Sequence, residues 1–276
     1  MARTRRRELR VGTSGWVYAD WTGPFYPAGL PARDRLAYYA ERFDLVEINS
    51  THYRLASARA AAAWQAVVPP GFRFVAKGSA FITHRLKLRG CEQAVERFFE
   101  PLAPLTGLAA VLWQLPPQMP KDLERVDRFL EILPREHAGR ALRHVLEPRD
   151  PWWWSDAVRA LLRRHRVALC SVSHPFLPAE VVPTSDLLYL RLHGLGEEPY
   201  LHAYRDDELQ PWVDRLARWR RTHDVYVAFN NDREGHAVRD ARRFRALAAA
   251  PHEEAGLEAR RLARPARSAA RRAQGS

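Results

Sequence analysis

The fold this sequence predicts is a single (β/α)8 barrel of the TIM type, of the α/β class. Three observations predict it: eight short apolar runs, amphipathic stretches between nearly all of them, and a span close to the ~250 residues usual for that fold. The runs fall at 10–16, 45–51, 72–78, 109–115, 142–149, 167–173, 187–193 and 224–231, each rich in aliphatic, β-branched or aromatic side chains. Strands covered on both faces by helices read this way, whereas half-exposed strands alternate apolar with polar residues. Helical periodicity covers 33–43, 57–68, 92–105, 122–133, 156–166, 206–223 and 236–249. Several of these begin at a residue such as Ser57, Asp122, Asp156 or Asp206, whose oxygen can accept from the free N–H groups of a first turn. One crossover departs from the pattern. Residues 174–186 hold Pro175, Pro178 and Pro183, which remove helical N–H donors, so a Pro-rich loop is expected there instead of a helix. The domain reading is a basic arm at 1–8, the barrel at 9–250, and an Arg/Ala-rich tail at 251–276 expected to be disordered.

With 46% hydrophobic residues the chain can bury a sizeable core. Its two cysteines, Cys91 and Cys170, both lie in segments read as regular structure, which excludes a disulfide framework and fits a reducing, cytoplasmic setting. The N-terminal residues contain no apolar stretch of signal-peptide length, and no segment approaches membrane-spanning length, so no membrane partner is expected. The net charge of +12 raises the question of polyanions. Much of it sits at the ends, with five arginines against Glu8 in residues 1–10 and six arginines against three glutamates in 251–276. Lysine is confined to Lys77, Lys87 and Lys121, an Arg-over-Lys bias that GC-rich coding alone would produce.

Ionisable residues inside fully covered strands need a reason to be there. In this sequence they gather at the C-terminal ends of the runs, where this fold houses its chemistry. Glu47 and Asn49 end the second run on one face, Lys77 ends the third, and Glu147 shares a face with Arg149 in the fifth. Arg191 and His193 end the seventh, and Asn230 lies at the end of the eighth with Asp232 just after it. Buried ion pairs add little net stability, so a purely structural role leaves their number unexplained. The candidate catalytic residues are therefore Glu47, Lys77, Glu147, Arg149, Arg191 and His193.

Two carboxylates among arginines, a lysine and a histidine suit general acid–base chemistry on an oxygen-rich molecule. One glutamate paired with arginine would stay ionised while the other, less well solvated, held a proton. Arginines would grip a carboxylate or phosphate, and Lys77 would stabilise charge or, if desolvated, act as nucleophile. Candidate substrate-binding residues are Ser14, Trp16, Asn49, Tyr53, Gln114, Trp153, Tyr204, Asn230 and Asp232, taken from the small, amide and aromatic residues that follow the runs. No cofactor is predicted. A divalent metal on Glu47, Glu147, His193 and Asp232 is the alternative, though no HExxH or CxxC spacing supports it. The expected partner is a small molecule. A second class of reading has nucleic acid held by the arginine tails with a base on the rim aromatics, and a third is a barrel that binds a metabolite without turning it over.

The segments Gly12-Thr13-Ser14-Gly15-Trp16, Phe25-Tyr26-Pro27, Val46-Glu47-Ile48-Asn49-Ser50-Thr51, Pro69-Pro70-Gly71-Phe72-Arg73-Phe74 and Ile82-Thr83-His84 are followed in order by three more. These are Gln114-Leu115-Pro116-Pro117, Leu190-Arg191-Leu192-His193-Gly194 and Phe229-Asn230-Asn231-Asp232. Together they resemble the YecE-like family of uncharacterised TIM-barrel proteins, domain of unknown function 72, over about residues 9–248. The resemblance implies the same barrel and brings no reaction. It also marks departures: Glu147-Pro148-Arg149-Asp150 stands where the family usually has Glu, an apolar residue, Arg and His. Likewise His52 precedes Tyr53 in place of an aromatic, and Asp240 precedes Ala241 where asparagine is usual. The essential chemistry is accordingly expected on the six candidates above rather than on Asp150.

Overall fold

The apolar runs become strands β1 (Leu9–Ser14), β2 (Leu45–Ile48), β3 (Arg73–Lys77), β4 (Leu108–Gln114), β5 (Arg143–Glu147), β6 (Ala168–Ser173), β7 (Leu187–Leu192) and β8 (Asp224–Phe229) in a computed structural model that describes residues 7–250 apart from 197 and 199. All eight are parallel, each pairs with the next, and β8 closes on β1, giving the barrel the sequence predicts. The helices are α1 (Arg35–Ala40), α2 (Ala58–Ala66), α3 (Glu92–Phe99), α4 (Leu123–Glu131), α5 (Asp156–His165), α6 (Asp206–Ala217) and α7 (His236–Ala249). Ser57 caps α2 by accepting from the Ala60 N–H (3.1 Å), and Asp122 caps α4 by accepting from Arg125 (3.0 Å). Residues 174–186 form no helix, as the prolines require. The tail at 251–276 lies outside the described residues, as does most of the arm at 1–8.

Two local features differ from the sequence reading. The second run leaves strand geometry early: Asn49 is already helical (φ −70, ψ −29) and opens a single helical turn, Ser50–Tyr53, so period-2 alternation does not place it beside Glu47. Ahead of β5, Glu136–His137 and Arg140–Ala141 pair as a two-residue antiparallel ladder. Its turn puts both Ala138 (φ 49) and Gly139 (φ 70) in the left-handed region. Alanine at such a position is unusual, which is why no hairpin signal was legible there.

The seam between β1 and β2 holds few backbone pairs and depends on one tyrosine and one glycine. The Tyr39 hydroxyl from α1 donates to the Leu45 carbonyl (2.9 Å) and accepts from the Thr13 N–H (2.8 Å) and Thr13 Oγ1 (2.9 Å). A Cβ on Gly12 would stand 1.9 Å from the Leu45 oxygen and 2.9 Å from the Tyr39 hydroxyl. Backbone cannot move aside cheaply there. Gly12→Ala is expected to cost about 3 kcal/mol or more in denaturant unfolding, the upper range of overpacking effects; a loss under ~1 kcal/mol would show that the seam is not tight.

Candidate active site

Because all eight strands run the same way, their C-terminal ends deliver side chains to one mouth, and the polar groups there form two layers. The lower layer is built on Arg191, fully buried at the end of β7. Its guanidinium donates to both oxygens of Glu47 on β2 (Nε to Oε2 3.1 Å, Nη2 to Oε1 2.6 Å) and to Oε2 of Glu147 on β5 (Nη1, 2.7 Å). Ser14 Oγ accepts from Nη2 (3.2 Å) while donating to Glu47 Oε1 (2.8 Å), and the Tyr189 hydroxyl donates to Glu47 Oε2 (2.8 Å). Burial alone would raise Glu147, but Arg149 and Arg191, helped by His193, hold its carboxyl well below the usual range.

His193 belongs to the same layer and is fully buried. The Asn230 amide donates to its Nδ1 (3.0 Å), which places the ring proton on Nε2, and that proton is donated to Glu147 Oε1 (3.0 Å). The arginine nitrogens lying 3.4 Å from Nε2 then have no lone pair to reach. Burial, then the charge of Arg191, pushes the imidazole down to about 3, so it is neutral through the physiological range.

The upper layer faces the opening. Lys77, at the end of β3, is 8% exposed, and among the described residues its ammonium makes no hydrogen bond or ion pair. Desolvation and the Arg191 charge lower it to about 8. Arg149 donates from Nη2 to Glu147 (2.8 Å) but its Nε is buried without a partner. Asp232, following β8, is half-buried, and its Oδ1 and the Asn49 Oδ1 are also buried without partners. Burial raises the Asp232 carboxyl to about 7, against the opposing effect of the nearby Tyr18 hydroxyl. His52 lies near Lys77, donating from Nδ1 to the Gly78 carbonyl (2.7 Å) and meeting His84 edge-on (ring centroids 5.0 Å). Desolvation and the Lys77 charge push His52 down to about 4, and lower His84.

The six candidate catalytic residues thus converge, but in different layers: Glu47, Glu147, Arg191 and His193 beneath, Lys77 and Arg149 above. The nine candidate binding residues divide more sharply. Asn49, Asn230, Asp232 and half-buried Gln114 stand at the strand ends. Ser14 is buried and engaged by the lower layer. Trp16 packs edge-on against Trp64 of α2 (5.7 Å), and Trp153 is buried against Trp152 (5.1 Å). Tyr204 is buried, donating to Ser173 Oγ (2.8 Å) and accepting from the Gly194 N–H (2.8 Å). These three aromatics hold the loops over the barrel. Tyr53 is 80% exposed at the edge of the mouth. Both glutamates are tied to one guanidinium. The carboxyl poised near neutrality is Asp232, read from sequence as a binding residue. His52, His84 and Tyr18 were not among the sequence candidates for chemistry. The signal for the two histidines was the Thr51-His52-Tyr53 and Ile82-Thr83-His84 segments, which carry no recognisable spacing.

Among the described residues no group of three or more His, Cys, Asp or Glu is arranged to hold a metal ion. Glu47, Glu147 and His193 are each engaged in the lower layer. No helix among the described residues is long and apolar enough to cross a membrane.

The model of the family described as "Protein of unknown function DUF72" matches residues 10–267. The UPF0759 protein YecE of Escherichia coli O157:H7 is 31% identical over 242 residues, covering 79% of this chain and 85% of that protein. YunF of Bacillus subtilis strain 168 is 24% identical over 286 residues, 92% of this chain and 99% of its own. A crystal structure of a DUF72 family protein from Thermotoga maritima MSB8 superposes with a TM-score of 0.78 at 28% identity, covering 87% of this chain and 99% of that one.

Proposed function

Because this chain belongs to the DUF72 family, whose description carries no activity, we propose its function from the chemistry of its own barrel mouth. It binds a small anionic, oxygen-rich molecule, sugar- or phosphate-like, and performs general acid–base chemistry on it as a hydrolase, lyase or isomerase. The observation that carries this reading is Lys77: a nearly buried ammonium with no partner beside a guanidinium with a free buried N–H. An unpaired cation in such a place is costly unless something negative comes to it. Across the mouth, Asp232 titrates near neutrality with a buried oxygen unsatisfied, the state a proton donor or acceptor needs at pH 7. The lower layer supplies no proton itself; through Glu147 and His193 it holds Arg149 and Asn230 in place.

A thermal-shift screen of anionic metabolites tests the binding half, since a ligand of the native state raises the melting temperature. For any hit that is turned over, Asp232→Asn is expected to keep affinity within about threefold while lowering turnover ~10²–10⁴-fold, the usual contribution of a positioned acid or base. If Asp232 is the acid, wild-type turnover falls as pH rises through about 7. Turnover within about twofold of wild type in Asp232→Asn would remove the acid–base assignment, and binding with no turnover would leave a metabolite-binding barrel.

A second reading is favoured by the exposed rings of Tyr53, Phe81, Phe176 and Tyr200 on the loops after β2, β3, β6 and β7. Unpaired nucleic-acid bases stack on such platforms. Salt-sensitive binding of an oligonucleotide, weakened by Tyr53→Ala and Phe176→Ala, would favour it over the small-molecule reading.

A further inference from the structure

The end of the barrel opposite the mouth holds a feature that the proposed chemistry does not use: a cleft of about 1240 Å³ between the strand starts and the helix C-termini. Six arginines line it: Arg73, Arg135, Arg140, Arg143, Arg164 and Arg166. One lining carboxylate, Asp186, accompanies them, reaching Arg7 (3.6 Å) and Arg143 (4.0 Å). Basic residues are ordinarily expected at helix C-termini, where they offset the dipole, and Arg164 and Arg166 at the end of α5 fit that explanation. Arg135, which donates to the Leu130 and His165 carbonyls at the ends of α4 and α5, fits it as well. The other three do not: Arg73 and Arg143 come from the first residues of β3 and β5, and Arg140 is carried by the two-residue ladder that walls the cleft.

The arginines also differ in what already satisfies them. Arg143 donates to Asp224 (2.6 Å), and Arg164 pairs with Asp127 (2.5 Å). Arg135 donates to the His165 and Leu130 carbonyls (2.8 and 3.0 Å) and meets no carboxylate; burial and then the neighbouring charge of Arg166 lower its pKa. Among the described residues, the guanidinium groups of Arg140 and Arg166 make no hydrogen bond or ion pair. Like charges are therefore gathered around a concavity, and the donors of Arg140 and Arg166 are left unengaged there.

We propose that this cleft is a second binding site, separate from the mouth, for a small molecule bearing two or more linked phosphates, gripped by Arg140, Arg166 and Arg135. Arginine's planar fork matches phosphate oxygens in pairs, so three guanidiniums from different segments suit an oligophosphate better than a single monoanion. The concavity favours a compact ligand over a duplex, which would need a long surface; small-molecule sites occupy roughly 300–1,000 Å³, leaving room here for a nucleotide-sized molecule and its waters. Lying at the far end of the barrel from Lys77 and Asp232, such a ligand is not the substrate of the mouth.

Titration of the full chain with inorganic tripolyphosphate, and separately with ATP, both without divalent metal, by calorimetry at about 50 and 150 mM salt provides the test. Saturable binding is expected to persist in a Lys77→Met background, where the mouth has lost its anion-binding lysine, and to weaken about tenfold or more when Arg140→Ser/Arg166→Ser is added. Both substituted arginines are exposed, so the fold is retained. A control variant, Arg59→Ser/Arg218→Ser, removes the same charge at exposed positions elsewhere and is expected to bind like wild type. Absence of saturable binding overturns the proposal. So does equal weakening by the control pair, which would indicate net charge, or unchanged affinity in the cleft variant, which would point to the six arginines of residues 251–276. Binding of a single-stranded oligonucleotide that is weakened in the cleft variant, while neither tripolyphosphate nor ATP binds, overturns it in favour of nucleic acid.

Discussion

Replacing Arg191 with methionine is expected to destabilise the fold by about 3–5 kcal/mol, the range for breaking a buried ion pair from one side. For a domain of this size that lowers the melting temperature by roughly 6–20 °C. Among the described residues, Arg191 is the only cation donating to Glu47 and one of two arginines ion-paired with Glu147. Without it the Glu47 carboxylate keeps Ser14 and the Tyr189 hydroxyl but no countercharge, in a place with no solvent. A buried carboxylate without its countercharge is costly to keep. The double variant Arg191→Met/Glu47→Gln removes both members of the pair and is expected to recover part of the loss. If the single variant loses less than about 1 kcal/mol, or the double is worse than the single by the full cost of a second independent defect, the buried pair does not organise the barrel.

The convergence of these charges was legible in sequence for a simple physical reason. Glu47, Glu147 and Arg191 interrupt apolar runs, and in a closed parallel barrel the ends of all runs meet. What the runs did not reveal was stoichiometry. One guanidinium serving two carboxylates depends on depth along each strand, and a run of letters fixes depth only to within a residue or two. Asn49 shows the limit: alternation assumes the strand persists, and the chain turned helical one residue after Ile48. The roles of Trp16, Trp153 and Tyr204 were hidden similarly, because an aromatic after a strand can face the mouth or pin a loop, and only tertiary packing decides. The basic cleft was illegible altogether. Its arginines come from separate segments of an arginine-rich chain, each unremarkable alone, and the turn at Ala138-Gly139 that brings Arg140 to the wall carries no standard hairpin signature.

Counting charge in the mouth identifies the residue whose removal should be most informative. Glu47 and Glu147 are matched by Arg191 and Arg149, and His193 is neutral. Asp232 titrates at about 7 in the upper layer, and Lys77, in that same layer, is the one of these three cations without an ion-paired carboxylate among the described residues. A fall in its pKa from 10.5 to about 8 means that the folded protein holds the lysine proton less tightly than the unfolded chain. That difference corresponds to about 3 kcal/mol, or about 2 after allowance for the small remaining solvent contact. For a cation with a depressed native pKa the cost is fully present below pH 8 and is relieved as pH rises from about 8 towards 10.5. Lys77→Met, similar in volume and uncharged, is therefore expected to be more stable than wild type by ~2 kcal/mol at pH 7 in urea unfolding. The advantage should shrink as pH approaches 10. The same substitution is expected to weaken any anionic ligand of the mouth ~100-fold, because a charge-assisted contact in a desolvated pocket is lost. Gain of stability with loss of binding is the signature of a charge kept for a ligand at the expense of the fold. A variant less stable than wild type at pH 7 would mean the ammonium has a stabilising role in the barrel, and unchanged ligand affinity would move the anion elsewhere.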